Sequence, residues 1–97
     1  MNTSEHLLTC LSEECAEVQH RVSKALRFGM GEIEPGQDLT NAQRIAQEFH
    51  DVLAIVEMLE ERGILKRSTS FREIEEKKTR VQWWMDHAIR NGTLVND

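Results

Sequence analysis

Between Val52 and Leu59 the chain has a single polar residue, Glu57, among apolar ones. In a helix such a stretch is apolar almost all round, and a helix of that kind is normally covered on several sides. Two other stretches carry helical periodicity, and strand alternation is absent throughout. Leu7, Leu11, Cys15, Val18, Val22 and Leu26 recur at steps of three and four, which predicts a first helix over about Ser4 to Leu26. Phe28-Gly29 breaks it, and Gly29 through Asp38, with Pro35-Gly36 inside, reads as a loop. Thr40-x-x-Gln43 predicts a capping box for the second helix, which carries Ile45, Phe49, Val52, Val56 and Leu59 before a stop at Gly63. Ser70-x-x-Glu73 predicts another capping box, for a third helix reaching Arg90. That helix has Phe71, Ile74, Val81, Met85 and Ala88 on its apolar face and Asn91-Gly92 at its end. The expected architecture is an all-α helical bundle of two long helices plus a shorter third, in one domain over residues 1–97. Three helices are too few to cover the second, so the bundle is expected to be completed by oligomerisation. A coiled-coil dimer satisfies the same pattern.

Charge limits the partners. Seventeen acids against twelve bases give a net charge of −5, and the bases are scattered apart from Lys77, Lys78 and Arg80. Nucleic-acid binding draws its affinity from a dense basic face, so no nucleic acid is expected as a partner. Nor is a membrane: no apolar run approaches the roughly 20 residues a bilayer requires. Met1 to Cys10 lacks a basic start and a long apolar stretch, so no secretory signal is expected. Cys10 and Cys15 stand five apart with no second pair, the wrong spacing for a Cys-x-x-Cys motif. They read as reduced thiols near the core of a cytoplasmic protein.

The candidate chemistry lies in Glu13-Glu14-x-x-Glu17 and Glu48-x-x-Asp51. Acids three apart share a helix face and can present two carboxylates to one point. Most such pairs are solvated surface, but the position of these is unusual. Leu7, Leu11, Glu14 and Val18 form one series and Glu48, Val52, Ile55 and Leu59 another, so these acids fall at the edges of the buried arcs. Several ionised carboxylates are not buried together unless a cation joins them. Oxygen ligands alone suit Mg²⁺, with Mn²⁺ as a substitute. A rival di-iron reading uses Glu17-Val18-Gln19-His20 as a Glu-x-x-His element, but no second such element is present and His20 lies off the stripe. The four histidines are expected to face solvent.

Glu13-Glu14-x-x-Glu17 followed by Glu48-x-x-Asp51, one pair on each of two successive helices, resembles the signature of the all-α nucleoside triphosphate pyrophosphatases. This is the MazG-like superfamily, which includes dimeric dUTPases and dCTP pyrophosphatases. Ser23-Lys24-Ala25-Leu26-Arg27-Phe28-Gly29, Asn41 and Glu76-Lys77-Lys78 are similar to the small bacterial and phage members. The likeness covers roughly residues 7–85. One departure is the segment between the acidic pairs, which is slightly longer than the family's usual range.

The resemblance implies that Glu14, Glu17, Glu48 and Asp51 hold one or two Mg²⁺ ions. It also implies a water attacking the α-phosphorus of a nucleoside triphosphate or related nucleotide, releasing monophosphate and pyrophosphate. The protein would then be a homodimer or homotetramer engaged in nucleotide-pool control or house-cleaning. Glu13 is expected as a supporting partner, a water-orienting base or an exposed residue. Lys78, in a slot of the third helix's apolar stripe, either snorkels to solvent or reaches a phosphate. Lys24 and Arg27 either stabilise the end of the first helix or contact phosphates. Asn41 is either a substrate contact or part of a cap. Trp84 is expected in the core, and Trp83, far off the stripe, is expected to be exposed, at a subunit contact or on a nucleobase, for which Phe28 is another candidate. The alternative from another class is a non-catalytic helical interaction module that retains the fold.

Overall fold

The computed structural model describes all residues from Met1 to Asp97. Three α-helices follow one another: α1 (Thr3–Phe28), α2 (Asn41–Glu61) and α3 (Arg72–Arg90). The only pairing of extended backbone is an isolated antiparallel bridge between Ile33 and Thr40. The expected all-α class therefore holds. No helix is long and apolar enough to cross a membrane.

The helix ends follow the local chemistry. At the start of α1, Asn2 and Glu5 form a reciprocal capping box. Thr40 and Gln43 form the expected one at α2. The helix ends in a Schellman motif: Gly63 N–H donates to Glu60 C=O and Ile64 N–H to Leu59 C=O, each at 2.9 Å. That closure needs a left-handed residue, and Gly63 has φ 73°. The capping box expected at Ser70-x-x-Glu73 does not form. Ser70 Oγ instead accepts from Arg72 N at 3.0 Å, and α3 opens after Phe71 without a side-chain cap.

The chain divides into two compact units, Met1–Lys66 and Arg67–Asp97. In the first, α1 and α2 pack as an antiparallel hairpin: Gly29 meets Asn41 near the loop, and Glu14 meets Asp51 farther along. The facing seams have the same spacing. On α1 the seam is Leu7, Leu11, Glu14, Val18, Arg21 and Ala25; on α2 it is Asn41, Ile45, Glu48, Val52, Ile55 and Leu59. All twelve are buried or half-buried at steps of four and three, the repeat that keeps one helix face on its neighbour. The seam is closed at one end by Leu7 and Leu59 and at the loop end by Ala25 and Asn41, which are its four buried residues. Between those ends both helices place charged residues where apolar ones would ordinarily pack.

This seam corrects part of the expected apolar stripe. Cys15, Val22 and Leu26 are exposed, Leu26 by 84%, as is Phe49 on α2. Helical steps of three and four fit two overlapping faces, and the one through Glu14 and Arg21 meets α2. Both cysteines are free thiols; Cys10 is half-buried, whereas Cys15 is not near the core. On α2, Leu53 and Val56 are half-buried and Met58 is exposed, so the apolar half-helix is covered on one side only.

In the second unit, α3 carries no buried residue. Trp84 is 61% exposed rather than in the core, because the unit has no second helix to lie on its apolar stripe. Trp83 is exposed as well, stacking on His87 at 5.8 Å between ring centroids and meeting Trp84 edge-on at 4.6 Å.

Candidate metal centre

Three acids meet where the seams carry charge. One carboxylate oxygen from each of Glu14, Glu48 and Asp51 lies within 4.8 Å of the others. Glu14 and Glu48 are half-buried and Asp51 is exposed, so the group opens to solvent on one side. Packing of an α1 seam position against α2 brings Glu14 to Glu48, and the i, i+3 step adds Asp51. Mg²⁺–oxygen bonds of about 2.1 Å put adjacent octahedral ligands about 3.0 Å apart and opposite ones about 4.2 Å, so these oxygens would draw together by about 1–2 Å to close on one ion. An all-carboxylate set fits a hard divalent cation.

Electrostatics point the same way. Partial burial raises the Glu14 carboxyl above its ordinary 4.5, with further upward contributions from Asp51, Glu48, Glu17 and Glu13. Of the other acids expected at the site, Glu17 and Glu13 are exposed and outside the trio, one acting on Glu14 from three residues along and the other from the adjacent position. A step of three carries Glu17 about 60° off the seam line that holds Glu14.

Toward the loop, the sequence reading missed a basic and acidic network. Arg21 lies on the α1 seam with its side chain 15% exposed; its Nε is 4.0 Å from Glu48 Oε1 and its Nη1 is 3.9 Å from Glu34 Oε2. Arg44 Nη1 donates to that same Glu34 oxygen at 2.7 Å. The Arg44 hydrogen bond, reinforced by the charges of Arg44, Lys24 and Arg21, holds the Glu34 carboxyl below its ordinary range. The one sequence signal for Arg21 was its place a full heptad after Glu14, on the continuation of the Glu14–Val18 series.

Beyond this network a cavity of about 200 Å³ is lined by Lys24, Phe28, Glu32, Glu34, Pro35 and Asn41. Asn41 is 2% exposed and its amide is committed to the chain: Nδ2 donates to Gly29 C=O at 2.8 Å and to Glu32 Oε1 at 3.2 Å. It ties the loop to α2, while Thr40 is the cap. The first N–H groups of α2 are likewise satisfied, by Glu32 C=O, Met30 C=O, the Thr40 hydroxyl and Thr40 C=O, so no free donor is left there for an anion. Lys24 and Arg27 sit over the Phe28 ring at 5.5 and 5.0 Å. Lys78 belongs to the other unit, where its Nζ pairs with Glu75 at 3.0 Å on an exposed surface.

No family model matches the chain, and neither does any curated protein or solved structure.

The raised Glu14 carboxyl has a measurable consequence. Its folded pKa stands above its unfolded one, so ionising it opposes folding; the penalty is absent at low pH and appears as pH rises through the folded value. Metal-free Glu14→Gln is therefore expected to melt above the wild type at pH 7. That advantage should shrink to nothing as pH falls below 4.5, where Glu14 is itself neutral. Thermal melts of both proteins from pH 4 to 8 read this directly, and a wild type that melts higher at pH 7 would refute it. Glu34 acts in the opposite sense: its contribution is present at neutral pH and lost as pH falls through its lowered folded value.

Proposed function

We propose that the protein is a Mg²⁺-dependent nucleoside triphosphate pyrophosphohydrolase. The observation that carries this reading is the meeting of Glu14 and Glu48, on the facing seams of α1 and α2, with Asp51 at the seam's exposed edge. An acid in a packed seam is costly, and two seams placing acids opposite one another repel, so the arrangement is favoured when a cation is bound. The resemblance of the two acidic pairs, the Arg27-Phe28-Gly29 helix end and the Lys77-Lys78 segment to the MazG-like pyrophosphatases supplies the reaction class.

Glu14, Glu48 and Asp51 are the proposed ligands, with Glu17 as a candidate for a second ion. Bound there, Mg²⁺ would neutralise triphosphate charge and lower the pKa of a coordinated water. Phosphoryl transfer asks the protein mainly for positioning and charge balance, which an open carboxylate trio on two rigid helices can supply. Glu13, exposed and adjacent to Glu14, is the proposed water-orienting residue. Seven residues of α2 separate Asn41 at the cavity from Glu48, a rise of about 10 Å. The nucleoside end of a substrate held at the acids could therefore reach the cavity, with Phe28 as an aromatic wall and Lys24 as a cation for phosphate. Attack of water on the α-phosphorus would yield a nucleoside monophosphate and pyrophosphate.

The protein is further proposed to work as a homodimer or homotetramer in the cytoplasm. Support comes from the exposed Leu8, Val22, Leu26, Phe49 and Met58, which leave the hairpin apolar on sides a single chain does not cover. Phosphorus NMR with Mg²⁺ and a panel of ribo- and deoxyribonucleotides tests the reaction. Pyrophosphate plus monophosphate is expected; orthophosphate plus diphosphate would indicate a different phosphohydrolase, and no turnover would favour an interaction module. Sedimentation of the same preparation should give a mass of two or four chains.

A further inference from the structure

Arg21 is the one residue with a buried side-chain nitrogen that has no hydrogen-bond partner: its Nε is sealed from solvent. Its nearest acidic oxygen across the seam is Glu48 Oε1 at 4.0 Å, within ion-pair range but beyond a hydrogen bond. The other arm of the guanidinium faces Glu34, which Arg44 already holds. Arg21 thus pairs with Glu34 on the loop side, and its unpartnered Nε lies 4.0 Å from a carboxylate oxygen of the acidic trio.

We infer that Arg21 is a positioning residue for the proposed metal centre, anchoring the Glu48 carboxylate between Glu34 and the cation. The inference rests on the metal-binding reading of Glu14, Glu48 and Asp51 and adds a residue to it. A carboxylate has two oxygens, so Glu48 can serve the centre and Arg21 together. Carboxylates that ligate a metal are usually held by such an outer partner, which sets their orientation. The planar fork of arginine suits this role, since it can address Glu34 and Glu48 at once, whereas a lysine ammonium acts as a single point of charge.

Charge and positioning predict opposite effects, which makes the inference testable. Were Arg21 only a nearby positive charge, its removal would relieve repulsion and tighten binding of a divalent cation. As a positioning residue, its removal loosens binding, by about 10–100-fold for an outer partner of this kind. The experiment measures Mn²⁺ affinity by the electron paramagnetic resonance of the free ion, on wild type, Arg21→Gln and Arg21→Lys, with helicity checked by circular dichroism.

The expected result is Mn²⁺ bound about 10–100-fold more weakly by folded Arg21→Gln, with Arg21→Lys in between. Equal or tighter binding by Arg21→Gln overturns the inference while leaving the metal centre standing. If Arg21→Gln does not fold, Arg21→Lys decides: wild-type affinity overturns the inference and weaker affinity supports it. A wild type that binds no Mn²⁺ overturns the metal centre itself, and the role of Arg21 with it.

Discussion

Glu48→Gln and Asp51→Asn should each abolish the thermal stabilisation that Mg²⁺ confers on the wild-type protein. A ligand that binds only the folded state contributes about 2.7 kcal/mol at one hundred times its dissociation constant, so the wild-type shift should be large and easily read. Removing one of three carboxylates takes away a third of the donor set. Turnover should fall by at least about 10²-fold, since even outer partners of a metal ligand cost about 10–100-fold. The metal-free proteins separate loss of the site from loss of the fold. Asp51→Asn only relieves repulsion on Glu14 and should melt at or above the wild type. Glu48→Gln also leaves Arg21 without its charged neighbour across the seam and should melt below Asp51→Asn. A Mg²⁺ response that survives in either variant would rule out that carboxylate as a ligand.

Leu59→Ala should be the most damaging apolar truncation in the hairpin. Leu59 is fully buried, and large-to-small changes at such sites cost about 2–5 kcal/mol. A domain of about this size commonly has only about 5–15 kcal/mol in total, so much of the stability of the α1–α2 unit would be lost. The reason is local: the seam's interior is interrupted by Glu14, Arg21 and Glu48, and apolar closure falls on Leu7 and Leu59 at one end. Urea unfolding followed by circular dichroism should show a markedly lower midpoint. Leu26→Ala is the matched control: at 84% exposure it should change the stability of a lone chain by under about 0.5 kcal/mol. A large loss at Leu26 would show that a second chain covers it, and a small loss at Leu59 would refute the seam as described.

Helix existence and limits were readable because they depend on neighbours in sequence. Thr40 and Gln43 cap α2, and Gly63 and Gly92 close α2 and α3, all within a few residues of the groups they satisfy. The capping box expected at Ser70 failed because the cap position of α3 is Phe71, one residue later, and the helix begins at Arg72. Trp84 was misplaced for a different reason: periodicity marks an apolar face but not whether a second element lies on it. At the candidate site, Glu14 and Glu48 stand out as acids interrupting apolar series, and Asp51 by its i, i+3 step from Glu48. Arg21, Glu34 and Arg44 do not, because a loop acid and two arginines on different helices share no spacing.

The sequence alone thus determined the helices, the cap of α2, the stops at Gly63 and Gly92, the loop at Gly29–Asp38, and the acids set into two apolar series, since each depends on contacts a few residues long. Which of two overlapping faces of α1 meets α2 was decided only by the tertiary structure. Steps of three and four allow the face through Cys15 and Val22 as readily as the one through Glu14 and Arg21. Choosing the latter put three acids within 4.8 Å, left Glu17 beside them rather than among them, and set Arg21 against Glu48. A helix specifies its own stripes, but its partner selects the one that is buried.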